Sequence, residues 1–257
     1  MKYVFAMLLL FTGTAVAGGS LSSDIRISSV VLGYDLQYRV YTPEGVEAEK
    51  ELPVLFITDG PAYIQRGDVP KVLDRLIDSA MIDPVIAVFV DARDPDDLGV
   101  NRRNQEFFCN VDYLTFYAAE LIPAIENAYP VRRARDARTI LGVSFGGLNA
   151  ACFGYMGYEF FSGIGMHSPA IHPVEDLLPA YEQALKLPLR IFLSTGSTND
   201  NTSATRKFRR WLKDKGYDMK FVQTSSGYKK SAGHNWDNWK LLIDDALLFF
   251  YGQSAPK

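Results

Sequence analysis

Ser144 stands at the centre of Gly142-Val143-Ser144-Phe145-Gly146-Gly147, a run that closes the short apolar stretch Thr139 to Val143. Small and apolar residues follow at helix-compatible spacing, so the pattern is strand, sharp turn, helix, with a serine at the apex. Such a turn is strained and its flanking residues must be small. Gly142 and Gly146 meet that need, and Gly147 leaves room for a further close approach. The serine is then held out at the carboxyl end of its strand. The N–H of Phe145, at the start of the helix, points at an oxygen developing negative charge. The same run also fits a glycine-rich turn of some other α/β protein, and partners for the serine decide between the two.

A serine hydroxyl is a poor nucleophile until a base takes its proton, and the base needs an acid to fix its tautomer. There are three histidines. His234 lies in Ser231-Ala232-Gly233-His234-Asn235-Trp236, between the last predicted strand and the last helix, where Gly233 lets the ring turn inward. His167 ends the strand after the serine turn but precedes any plausible acid, and His172 is in a Pro-flanked turn. His234 is therefore the expected base. The expected acid is Asp200, in Thr195-Gly196-Ser197-Thr198-Asn199-Asp200, where its alternative role is capping the next helix. Asp218 and Asp237 compete with it. The order Ser144, Asp200, His234 is that of the α/β-hydrolases. This chemistry calls for no metal or cofactor, and neither cysteine has metal-ligand spacing.

The elements that must position these groups follow from periodicity. Ile25 to Leu32 and Leu36 to Tyr41 flank Gly33-Tyr34-Asp35 and predict an antiparallel hairpin; Gly18 to Ser23 predicts a flexible leader. Pro53 to Thr58 and Pro84 to Val90 are unbroken apolar runs, as strands covered on both faces are. Residues 91 to 110 form a polar loop too long for an idle connection. Val111, Leu114, Ala118, Leu121, Ile122 and Ile125 predict one helix face. Further strands are expected over Phe160 to Met166, Leu189 to Ser194 and Met219 to Thr224. Helices are expected around Val174 to Leu187, Ala204 to Lys215 and Trp236 to Phe250. Alternating strands and helices predict an α/β fold: a mostly parallel central sheet flanked by helices, with the antiparallel hairpin at its amino-terminal side.

The chain has 257 residues, 47% hydrophobic and 22% charged, enough for one sizeable core without a linker or repeat, so a single domain over 24–252 is expected. A net charge of −3 and no basic stripe exclude a nucleic-acid footprint. Met1-Lys2, the apolar run Tyr3 to Phe11 and Ala15-Val16-Ala17 predict a signal peptide over 1–17. The run is too short to span a membrane, and export to the periplasm or medium is expected. Cys109 and Cys152 pair in such a compartment only if the fold brings them together.

Gly-Val-Ser-Phe-Gly-Gly-Leu, the Gly-Ser-Thr-Asn-Asp loop and Gly-His-Asn-Trp together resemble the esterase family of the α/β-hydrolase superfamily. That family includes the enterochelin (ferric-siderophore) esterases, the esterase D group, feruloyl esterases and mycolyl transferases. The likeness runs from about residue 30 to 250. Arg102 or Arg103, Glu106, Cys109-Asn110 and Glu120-Leu121-Ile122-Pro123 resemble the enterochelin esterases most, while the intervals between the three motifs also suit feruloyl esterases. The resemblance implies an α/β-hydrolase fold and hydrolysis of a small-molecule or carbohydrate-linked ester. It also implies a second oxyanion donor just after Asp59-Gly60. Pro61 has no N–H, so that donor is Gly60 or Ala62. Arg102, Arg103 and Glu106 either rim the pocket, favouring a polar or anionic substrate, or form a solvated charge cluster. Two other readings stay open: an acyltransferase with the same three residues, and a non-catalytic binding member.

Overall fold

The computed structural model describes residues 18–46, 50–225 and 232–253. The predicted signal peptide, 1–17, lies outside the described residues. Among those, nine strands form one sheet. β1 (Ser20–Leu21), β2 (Ile25–Ser28) and β3 (Asp35–Thr42) make an antiparallel edge, with β1 and β2 both paired to β3. β3 joins β5 (Ile86–Asp91) antiparallel. From there β5, β4 (Val54–Ile57), β6 (Arg138–Val143), β7 (Gly163–His167), β8 (Arg190–Thr195) and β9 (Asp218–Gln223) run parallel.

The unbroken apolar strands are buried on both faces, and their side chains divide by the two-residue period of a strand. Val54 and Phe56 join one core with Ile140, Phe153 and Phe161. Leu55 and Ile57 join another with Phe89, Leu73 and Leu247. Each fully buried Leu, Ile or Phe contributes about 1.5–3 kcal/mol. The second core is roofed by α2 (Val69–Asp78) and α10 (Ile243–Tyr251). Two short helices lie near the carboxyl ends of the strands, α1 (Gly60–Gln65) and α3 (Arg103–Phe107). The first core is covered by α4 (Val111–Phe116), α5 (Ile122–Ala128), α6 (Phe145–Met156), α7 (Leu177–Gln183) and α8 (Thr202–Asp214). α9 (Trp236–Trp239) precedes α10.

Three expectations are corrected. The stretch 18–23 is no loose leader: Ser22 donates its N–H to the Val40 carbonyl (2.9 Å) and accepts the Val40 N–H on Oγ (2.9 Å). β3 otherwise exposes open backbone groups along that edge, and this segment satisfies them. The helix expected after residue 110 is interrupted by a π-turn over Tyr117–Leu121, between α4 and α5. Pro123 explains the interruption, because it has no N–H to donate back into a continuous α-helix. The polar loop 91–110 contains α3, which carries Arg103 toward the sheet.

Cys109 and Cys152 are joined as a disulfide between the end of that loop and buried α6, closing a sequence separation of 43 residues. A crosslink of this span is expected to contribute about 2–4 kcal/mol. Reduction, or the Cys109→Ala/Cys152→Ala pair, should lower Tm by about 5–10 °C in a thermal melt. Identical melting of oxidised and reduced protein contradicts this.

Candidate active site

Ser144 joins β6 to α6 with φ 56° and ψ −117°, a backbone conformation that L-residues rarely adopt. Strain of this kind costs about 1–3 kcal/mol and persists only where the surroundings over-determine it. Here the Ser144 N–H donates to the His167 carbonyl (2.9 Å), and the Ser144 carbonyl accepts from Leu148 and Ala170 (both 3.0 Å). A Cβ on Gly142 would fall 2.2 Å from the Gly146 carbonyl, and one on Gly146 would fall 2.4 Å from Thr58 Oγ1. Both positions therefore require glycine for the turn to close against the end of β4.

The turn presents Ser144 Oγ 2.8 Å from His234 Nε2, and His234 Nδ1 lies 2.8 Å from Asp200 Oδ1. An ionised carboxylate only accepts, so the imidazole carries its proton on Nδ1 and leaves Nε2 to accept from the serine hydroxyl. The loops after β8 and before α9 are pressed together: a Cβ on Gly196 would fall 1.8 Å from the Ala232 carbonyl oxygen. His234 N–H donates to the Asn199 carbonyl (3.1 Å), and Asn238 Nδ2 donates to that of Gly233 (3.0 Å).

Asp200 is the most heavily bonded group of the site. Oδ2 accepts from Ser168 Oγ (2.7 Å), Thr195 Oγ1 (3.3 Å) and the Gly196 N–H; Oδ1 also accepts from the Asn201 N–H (2.7 Å). Burial pushes its pKa up, but the hydrogen bonds from His234, Ser168, Gly196 and Asn201 outweigh that and hold it below the ordinary carboxylate value. Ser168, itself at φ 47°, is fixed in turn by Trp239 Nε1 (2.9 Å), whose ring stands edge-on to His234 at 4.9 Å. Ser168 and Trp239 were not anticipated from sequence; an indole three residues beyond Trp236 carries no signature of its own.

The competing residues are engaged elsewhere. His167 is fully buried, with Nδ1 3.0 Å from Ser194 Oγ, and burial lowers its pKa to about 3. His172 packs against the Phe145 ring. Asp218 pairs with Arg190 (2.9 Å) and Asp237 with Lys240 (2.8 Å).

A cleft of about 410 Å³ opens over the serine, bordered by Asp59, Arg66, Arg103, His234, Trp236 and Trp239. Next to the serine in the chain, Phe145 begins α6, and the Asp59-Gly60-Pro61 turn begins α1. Ala62 N–H is already donated to the Asp59 carbonyl (2.9 Å), which leaves Gly60 of the two candidate donors.

The three expected rim residues separate. Arg103 does border the cleft, but its guanidinium is bound to Asp59 in a bidentate pair (2.7 and 2.8 Å) and to the Val143 carbonyl (3.2 Å). Arg102 turns away to Asp94 and stacks over Tyr34 at 4.3 Å. Glu106 is fully buried and accepts from Tyr34 Oη (3.1 Å); burial pushes its pKa up to about 8, with Tyr34 and Arg102 opposing. Of the charges that look like a rim in sequence, only Arg103 reaches the cleft, and it is internally paired; Arg102 and Glu106 are engaged elsewhere.

The Putative esterase family model matches residues 29–250. The Bacillus subtilis protein YjcH is 24% identical over 232 residues, covering 86% of this chain and 94% of that protein. The Iron(III) enterobactin esterase of Escherichia coli K12 is 31% identical over 111 residues, covering 43% of this chain and only 26% of that enzyme. Among solved structures, a ferulic acid esterase superposes with a TM-score of 0.77 at 22% identity, covering 91% of this chain and 99% of that one. The enterobactin esterase FES of Shigella flexneri gives 0.76 at 22%, covering 91% of this chain and 59% of its own. At these identities the superpositions establish the fold, and the family match supports action on ester bonds. The chain belongs to the Putative esterase family, with the architecture of the α/β-hydrolase superfamily.

Proposed function

We propose that this protein is a serine carboxylesterase that works through Ser144, His234 and Asp200 by way of an acyl-enzyme. The reading is carried by the pair of 2.8 Å contacts that run from the serine oxygen through both nitrogens of one imidazole to a carboxylate. His234 Nε2 takes the Ser144 proton as Oγ attacks the ester carbonyl. Negative charge then develops on the carbonyl oxygen, where the N–H groups of Phe145 and Gly60 are the proposed donors. Collapse of the tetrahedral intermediate breaks the ester C–O bond, and His234 returns the proton to the leaving alcohol. Water, deprotonated by His234, releases the acid by the same steps in reverse. Asp200 stabilises the imidazolium that forms twice in the cycle.

The substrate is proposed to be a small-molecule or carbohydrate-linked ester. A cleft open to solvent beside His234, whose side chain is 30% exposed, favours water as acceptor over a sequestered alcohol. Export is proposed from the amino-terminal pattern; a disulfide is compatible with an oxidising compartment.

Two outcomes test the mechanism. Ser144→Ala should abolish hydrolysis of 4-nitrophenyl acetate and butyrate by the mature protein while leaving its thermal melt cooperative. A mutant that retains wild-type rate sinks the nucleophile assignment. Asp200→Asn should lower kcat about 10⁴-fold, since an amide favours the wrong tautomer of His234. It should also destabilise the fold. The folded pKa of Asp200 lies below its unfolded value, so the carboxylate's stabilisation is fully present above about pH 4 and lost as pH falls through the folded value. Denaturant melts of wild type and Asp200→Asn should therefore differ at pH 7 and converge in strong acid. A constant difference across that range contradicts the assignment.

A further inference from the structure

Beside the Ser144 cleft lies a second one of about 220 Å³ that shares Asp59, Ala62 and Arg66 with it and extends to Asp91 and Arg93. The two carboxylates of this region are already matched. Asp59 holds Arg103 through two hydrogen bonds, and Asp91 holds Arg93 through Nε (2.8 Å) and Nη2 (2.7 Å). Two acids and three arginines leave one positive charge over, and it is on Arg66. Its guanidinium has no ion pair or hydrogen-bond partner among the described residues, and the residue is exposed.

The backbone that bears Arg66 is nevertheless fixed. Its N–H caps α1 by donating to the Ala62 carbonyl (2.8 Å). At the next residue, Gly67, a Cβ would fall 2.8 Å from the Tyr63 carbonyl, 3.0 Å from Ile243 Cδ1 and 3.3 Å from Trp236 Cζ3. The end of α1 is thus wedged against the aromatic wall of the His234 loop, where Tyr63 and Trp236 meet edge to face at 5.0 Å. An unpaired guanidinium on a wedged backbone, on the border that the serine cleft shares with its neighbour, suits an anion in either cleft.

We infer that Arg66 determines specificity by binding an anionic group, of the carboxylate class, on the acyl or alcohol portion of the ester. This rests on the esterase reading and narrows its substrate class to charged esters. It moves recognition of negative charge from Arg102 and Arg103, which are internally paired, to a residue outside the motifs that carry the family resemblance.

The test compares matched esters in wild type, Arg66→Gln and Arg66→Lys. Mono-4-nitrophenyl succinate against 4-nitrophenyl butyrate places the carboxylate on the acyl side, and 3-carboxyphenyl butyrate against phenyl butyrate places it on the alcohol side. In at least one pair the ratio of kcat/KM, charged over neutral, should fall about fivefold in Arg66→Gln, recover in part in Arg66→Lys, and shrink in wild type at high salt. Ratios unchanged by Arg66→Gln in both pairs overturn the inference and mark Arg66 as an ordinary solvated side chain. A second measurement needs no turnover. In Ser144→Ala protein, tryptophan fluorescence should report tighter binding of succinanilate or 3-butyramidobenzoate than of butyranilide. That preference should vanish in Ser144→Ala/Arg66→Gln. Equal binding of charged and neutral amides overturns the inference whatever the enzyme hydrolyses. Full esterase activity in Ser144→Ala instead defeats the mechanism and leaves the binding comparison to decide Arg66 alone.

Discussion

The candidate site depends first on the close approach of β6 to the end of β4. Leu141 pairs with Ile57, and the Thr58 N–H donates to the Leu141 carbonyl (3.1 Å), so Thr58 and Asp59 are delivered directly beneath the serine turn. Against that surface Gly142 and Gly146 can pack and no larger residue can. The contact forces the positive φ at Ser144, which in turn projects Oγ toward the imidazole. The same approach brings Asp59 to Arg103, and Arg103 reaches back to the Val143 carbonyl at the end of the strand. Sheet register, backbone strain and ion pair are one arrangement, and loosening any of them moves the serine.

The carboxylate is a second point of convergence. Asp200 gathers donors from the loop after β7 through Ser168, from its own loop through Gly196 and Asn201, and from the loop before α9 through His234. Trp239 completes the chain from the start of the last helical segment. These donors are held in place before any substrate arrives, which is the condition under which electrostatic stabilisation needs little reorganisation. An acid with fewer bonds would be free to turn away from the imidazole.

Much of this was legible in the sequence because it depends on local chemistry. A Gly-x-Ser-x-Gly turn between an apolar run and a helix has few geometries, and three histidines made the search for a base short, while Asp200 kept Asp218 and Asp237 as competitors. The parallel core strands were visible as unbroken apolar runs for the same reason. What escaped depends on packing between distant segments. Glu106 is charged and follows two arginines, which reads as a solvated cluster; only the folded chain turns it inward onto Tyr34. Ser20–Leu21 is too short for any period, and its pairing is dictated by the exposed edge of β3. The break at Tyr117–Leu121 is set by Pro123 acting one turn upstream, against an apolar pattern that favours continuity. The Cys109–Cys152 pair needed the fold to bring loop and helix together.

The three groups proposed to act together are contributed by segments 56 and 34 residues apart in the chain, each at the end of a different strand or loop of a parallel sheet. Parallel pairings close large loops, so such a sheet is intrinsically slow to assemble. A chain still emerging from the ribosome, or one cut before β9, holds Ser144 without His234, the imidazole that the fold brings to it. On the proposed mechanism the serine would therefore be switched on only by completion of the fold itself, and a growing or damaged chain would present it as an ordinary, unreactive alcohol.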